Sequence, residues 1–235
     1  MGCDIHLFLE KRNEASGKWE AVKGVNEPEV KSLHSIIEKC KSRGESTEYW
    51  EQRIQEEQNG TYDFIYSGRN YTLFSILAGV RNSCSLKPIR EPRGIPSDVS
   101  DSVIAGSDEW GPDGHSHSYL SVKELLEFDW SQGFKREGWV NSENYKEFKE
   151  NGSPSTWSRS VGGGGVDHVT NYDMDNFIAD NGEYWAFGRS PYTLVHWNES
   201  FKDCVGSFYS WSIPKMKELA GDDLESVRIV FWFDN

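Results

Sequence analysis

Two pairs of side chains have the types and spacing to do chemistry. Asp4-x-His6 lies where Cys3, Ile5, Leu7 and Leu9 alternate with Asp4, His6, Phe8 and Glu10. Period two belongs to a strand, so Asp4 and His6 share a face and can converge on one ligand or ion. His115-x-His117 follows Asp113 in a Gly- and Ser-containing stretch that reads as a loop. Carboxylate and imidazole together suit Zn, Mn or Fe. If that loop folds over the first strand, Asp4, His6, His115 and His117 form a four-ligand site for a divalent metal. The metal would activate water, with Glu10 or Asp113 as proton acceptor. Neither pair has the fixed spacing of a known metal signature. A solvent-facing polar strand beside a polar loop is the competing reading.

The arginines offer a second chemistry. Arg69 precedes the most apolar segment of the chain and Arg81 ends it, with Tyr71 at its start. Arg90 and Arg93 sit on a stretch stiffened by Pro88, Pro92 and Pro96. A stiff backbone lowers the entropy cost of holding guanidinium groups against phosphate or carboxylate. The competing reading is ordinary ion pairing with Glu91, Asp98 or Asp101. The run Gly162 to Gly165 lacks the strand and helix flanks of a phosphate loop and reads as flexible chain. No Ser or Cys, Cys3 included, has base–nucleophile spacing.

The elements that must position these groups follow from periodicity. A hairpin is predicted over residues 3–22, and a helix over 28–43 carries Val30, Leu33, Ile36, Ile37 and Cys40 at three- and four-residue spacing. Residues 62–66 read as a short strand and 71–80 as a helix with a broad apolar face. Ser121 and Glu124 have capping-box spacing, which starts a helix that runs to about Phe128. Short strands are expected over 183–187 and 193–197, around a Ser190-Pro191 turn. Ser212 and Pro214 begin a helix that ends near Gly221. The chain closes on a second alternating strand, 227–233, expected to be half-buried and to pair with the first. The fold class is therefore α+β: a mixed or antiparallel sheet including the N- and C-terminal strands, packed by a few helices, with long loops. One domain is expected over 1–235. Residues 44–60 and 130–182 read as excursions, the latter mostly loop with a short helix near 144–150.

Composition narrows the partners. A formal net charge of -13 over 235 residues repels nucleic acid, so no direct nucleic-acid grip is expected. The acidic groups could instead face a protein partner. With 10 Trp and 14% aromatic residues, the chain has rings enough for both a core and a ligand wall. No apolar run spans a bilayer, and the N-terminus has no basic-then-apolar signal region. Met1-Gly2-Cys3 lacks the Ser or Thr at position 6 that myristoylation favours. The four cysteines form no C-x-x-C pair and read as reduced thiols. The expectation is a cytoplasmic protein that could be a homo-oligomer.

Several segments carry a resemblance. Met1-Gly2-Cys3-Asp4-Ile5-His6, Arg69-Asn70-Tyr71-Thr72-Leu73-Phe74 running into Leu77-Ala78-Gly79-Val80-Arg81, Pro92-Arg93-Gly94-Ile95-Pro96, His115-Ser116-His117-Ser118 and Phe231-Trp232-Phe233-Asp234-Asn235 together resemble an uncharacterised family found largely in bacteriophage genomes. The likeness covers both ends and residues 69–126, and implies a phage-type setting within a host cytoplasm. In that setting small accessory proteins often counter host defence, some by sequestering nucleotide signals.

Three readings follow. The first is a non-catalytic binder of a small anionic, nucleotide-like ligand, using Asp4, His6, Arg69, Tyr71, Arg81, Arg90, Arg93, His115 and His117. The second is a metal-dependent hydrolase using Asp4, His6, His115 and His117. The third is an acidic protein that inhibits a host factor by direct interaction.

Overall fold

The computed structural model describes residues 2–180 and 190–235. In chain order the elements are β1 (Ile5–Arg12), β2 (Trp19–Ala21), α1 (Glu27–Arg43), α2 (Glu48–Gln58), α3 (Tyr71–Ala78), α4 (Asp101–Trp110), β3 (His115–Ser121), α5 (Val122–Glu127), β4 (Gly133–Asn141), α6 (Ser142–Asn151), β5 (Val166–Val169), α7 (Asn171–Ala179), β6 (Ser190–Ser200), α8 (Phe201–Val205), α9 (Ile213–Ala220) and β7 (Val227–Phe233). The chain divides into two compact units, Met1–Asp129 with Lys202–Asn235, and Trp130–Phe201.

The first unit is built on a four-stranded sheet in the order β2-β1-β7-β3. The two terminal strands pair antiparallel along their whole length, from Ile5 opposite Phe233 to Lys11 opposite Val227. This register sets two faces. Cys3, Ile5, Leu7 and Leu9 lie with Ile229, Phe231 and Phe233 in the main core, all buried, and Phe74 of α3 packs 5.0 Å from Phe233. His6, Phe8 and Glu10 share the other face with Trp232, Val230 and Arg228.

That second face departs from expectation. β7 is buried at every residue rather than half-buried. The reason is α4, which the sequence pattern did not single out. Val103 of α4 packs with Val230 and Trp232, and Phe8 joins them. Gly106 lets the helix approach, because a Cβ there would meet the Phe8 ring at 2.6 Å.

Local chemistry explains most helix boundaries. The Asn26 and Asn70 side chains accept the Glu29 and Leu73 amides, and Gly44 and Gly79 close α1 and α3 in the left-handed conformation. Ser121 and Glu124 form a full capping box on α5. The helix α2, within the segment read as an excursion, seats Ile54 against Leu33 and Ile37 of α1. Residues 62–66 form turns rather than a strand; Thr61 makes only an isolated bridge to Gly24.

Residues 130–182, read from their Gly and Asn content as mostly loop, instead supply most of the second unit. Its sheet runs β4-β6-β5, with β4 antiparallel and β5 parallel to β6. Val140, Val195, Trp197, Tyr145 and Met174 form its core. The strand expected over 193–197 is longer, and Pro191 lies inside it rather than at a turn. The strand expected over 183–187 lies outside the described residues. Among the described residues no helix is long and apolar enough to cross a membrane.

Candidate functional sites at the two ends of one sheet

The residues proposed for one site are divided between the two ends of the first sheet. Arg228 and Asp234 are six residues apart on and just beyond β7, which at strand rise is about 20 Å.

At one end the chain termini meet. Asp4 and Asp234 are doubly bonded, the Asp4 amide donating to the side-chain Oδ1 of Asp234 at 2.9 Å and the Asp234 amide to the Asp4 carbonyl at 3.2 Å. Arg69 grips Asp4 with both arms of its guanidinium, Nε to Oδ1 at 2.7 Å and Nη2 to Oδ2 at 2.5 Å. That hydrogen bond, against a smaller burial effect, holds the Asp4 carboxyl below the ordinary carboxylate value. Arg81, in the left-handed conformation (φ 54°), donates to the Gly2 carbonyl and to Asn235 Oδ1 and lies over the Tyr71 ring. His6 Nε2 lies 3.3 Å from Asp234 Oδ2, and its ring sits 3.9 Å from that of Trp110. An imidazole oriented by a carboxylate can exchange protons, but both arginines here already hold acceptors.

The two histidines of β3 part company. Their segment is strand, not loop, and it bulges between His115 and Ser118, with Ser116 at φ 53°. The bulge cancels the period-two alternation. His115 therefore lies against Phe233, on the main-core side, whereas His117 stacks on Trp232 beneath α4 and shares a 3.0 Å hydrogen bond with Ser107 Oγ. Asp4, His6, His115 and His117 do not converge, and among the described residues no three His, Cys, Asp or Glu side chains group to hold a metal.

Burial, with the nearby His115 charge second, holds the His117 pKa below its ordinary 6.5. The folded protein thus favours the neutral ring. This contribution to stability is complete above about pH 6.5 and is lost as pH falls through that value toward the lowered folded pKa. Denaturant melts at pH 7.5 and 5 should show a smaller acid loss for His117→Gln than for wild type. Equal losses would show that His117 contributes nothing.

At the other end lies a pocket of about 310 Å³, bordered by Trp19, Arg90, Arg93, Tyr119, Glu124 and Arg228 among others. Its base is an ion pair inside the sheet. Glu10 is fully buried and Arg228 is 5% exposed. Arg228 Nε donates to Glu10 Oε2 and Nη1 to Asp98 Oδ1, both at 2.8 Å. Glu10 Oε1 accepts the amide of Ser100, the residue that begins α4, at 2.8 Å. Arg228 Nη2 is buried and has no hydrogen-bond partner among the described residues. Burial would raise the Asp98 carboxyl, but the hydrogen bond and charge of Arg228 outweigh it and leave it lowered.

Aromatic rings and guanidinium groups alternate across this end of the sheet. Arg12 lies 5.8 Å from the Trp19 ring centre and Arg228 3.9 Å from it; Arg228 lies 5.9 Å and Arg93 4.0 Å from that of Tyr119. Such contacts stabilise buried cations. They also cover faces of Trp19 and Tyr119 on which a planar ligand would stack. Arg90 and Arg93 converge on Glu124, and Arg93 also donates to the Tyr119 carbonyl.

Arg90 and Arg93 are therefore the predicted residues that line this pocket. Asp4, His6, Arg69, Tyr71 and Arg81 gather at the opposite end, with His115 and His117 on separate faces of β3. Sequence reading missed Arg228 and Trp19, and placed Glu10 on an open face. The available signal was Arg228, the lone charge of the last strand, at a position that pairs with Glu10 when the terminal strands are aligned antiparallel. No protein-family model, curated protein or solved structure matches the chain.

Proposed function

We propose that this protein binds a small anionic, nucleotide-like ligand and holds its phosphate end in the pocket formed by Arg90, Arg93 and Arg228. The observation that carries this reading is Arg228, a buried guanidinium that borders the pocket and is fixed by two carboxylates, and whose remaining Nη2 has no hydrogen-bond partner among the described residues. A buried donor without an acceptor costs about 1–3 kcal/mol, and an anionic ligand oxygen would recover it. Arg90 and Arg93 share a single carboxylate and supply further donors in the fork geometry that suits phosphate.

The reading is one of binding without cleavage. Among the described residues no imidazole or thiol borders the pocket, and the Ser121 hydroxyl already accepts the Glu124 amide. The resemblance to phage proteins makes the nucleotide signals of host defence the first ligands to test. Titration calorimetry against nucleoside 5′-monophosphates, cyclic nucleotides and ADP-ribose should find at least one ligand with a Kd of about 1 µM to 1 mM. Its affinity should fall in Arg90→Ala/Arg93→Ala. Absence of binding across the panel would overturn the reading.

A further inference from the structure

Arg90 and Arg93 already hold an anion of the chain itself. Glu124 Oε1 accepts Arg90 Nε at 2.8 Å and Arg93 Nη1 at 3.1 Å. Its Oε2 accepts Arg93 Nη2 and the Ser121 amide, each at 3.0 Å. The Glu124 side chain is only 16% exposed, so solvent screens these contacts less than it would on an open surface. Burial would raise its carboxyl, but hydrogen bonds from Arg93, Arg90 and Ser121 outweigh it and leave the group below the ordinary carboxylate value. Glu124 therefore stays charged at neutral pH, and protonation does not release the arginines.

We infer, resting on the anion-binding reading above, that Glu124 is an internal competitor that holds this pocket in an autoinhibited state. An anion that reaches Arg90 and Arg93 either takes the place of the carboxylate or shares the two guanidinium groups with it. The first course costs the charge-assisted hydrogen bonds of Glu124, and the second sets two negative charges side by side. Both lower the affinity of any anionic ligand, so Glu124 sets how tightly the pocket binds. The two arginines differ in how far they depend on it. Arg93 also donates to the Tyr119 carbonyl and lies 4.0 Å from the Tyr119 ring centre, so it keeps its place without Glu124. Arg90 is exposed and, among the described residues, hydrogen-bonds through its side chain to Glu124 alone, so it is the arm that swings free.

Glu124→Gln tests this, because glutamine at the third helical position also completes a capping box and keeps the start of α5. Glu127→Gln is the control. Glu127 borders the same pocket and loses the same charge on substitution, yet among the described residues it takes no hydrogen bond from either arginine. Calorimetry of the three folded proteins with the nucleotide panel above, 5′-AMP first, reads the dissociation constants. Glu124→Gln should bind about tenfold more tightly than wild type, and Glu127→Gln no more than about threefold. An affinity of Glu124→Gln equal to or below that of wild type would overturn the competitor role and leave the binding site standing. Equal tightening in the two variants would also overturn it, because the loss of any nearby negative charge would then account for the gain. Binding by Glu124→Gln with none by wild type supports the competitor role in its strongest form, the wild-type pocket staying shut to that panel. No binding by any of the three proteins removes the site itself, and the competitor role with it.

Discussion

Glu10→Ala should lower the stability of the first unit by about 3–5 kcal/mol, the cost of leaving a buried cation without its partner. For a domain of this size that corresponds to a fall in Tm of roughly 10 °C. The effect exceeds that of an ordinary surface carboxylate because Glu10 is fully buried and serves two donors at once, Arg228 Nε and the Ser100 amide. Its loss leaves Arg228 with the more exposed Asp98 as its counter-charge and frees the start of α4. Replacing both charges, in Glu10→Met/Arg228→Met, should restore most of the lost stability, because an apolar pair of similar size removes the buried cation as well as its partner. Thermal melts of wild type, the single variant and the double variant check this. A single variant as stable as wild type would mean that the ion pair is not closed from water. A double variant no more stable than the single would place the cost on the Ser100 amide instead.

The same double variant should weaken ligand binding while the fold is kept. Arg228 contributes a buried donor, Nη2, that no group among the described residues uses, and a charge-assisted hydrogen bond is worth about 1.5–3 kcal/mol. The expected loss is at least about tenfold, rising toward hundredfold if the rebuilt pocket floor also shifts Arg93 through Tyr119. Stability and binding then move in opposite directions relative to Glu10→Ala, which separates a role in recognition from a role in folding. An unchanged Kd in a folded double variant would show that Arg90 and Arg93 suffice.

The pairing of the terminal strands was legible in the sequence, because each alternates cleanly and one register places both apolar sets together. The main-core face, the capped helix α5 and the α+β class followed from the same periodicities. Three features were not legible, each because a tertiary contact decides it. α4 contains Ser102, Gly106 and Ser107 among its residues and has a weak apolar stripe; it is held by Val103 on the sheet and by the close approach at Gly106. The pair His115 and His117 read as part of a loop that could close over the first strand, whereas they lie in a strand whose bulge at Ser116 separates them. The Gly-rich stretch 130–182 hid β4 and β5, whose pairing partner β6 lies far along the chain.

The site reading changed for a related reason. Sequence spacing grouped four arginines as one set, yet Arg69 and Arg81 bind acceptors at the chain ends whereas Arg90 and Arg93 meet Glu124 beyond the far end of the sheet. What joins the second pair into a pocket is Arg228, which shares a face with Glu10 only once β1 and β7 are aligned. A lone arginine on an apolar strand is a signal of this kind.

The most direct measurement is titration of 5′-AMP into wild-type protein and into Glu10→Met/Arg228→Met, with circular dichroism to verify that both are folded. Saturable binding to wild type at one site, weakened at least about tenfold in the folded double variant, is the expected result. Equal binding by the two folded proteins would contradict the assignment of Arg228 as the anchor of the pocket.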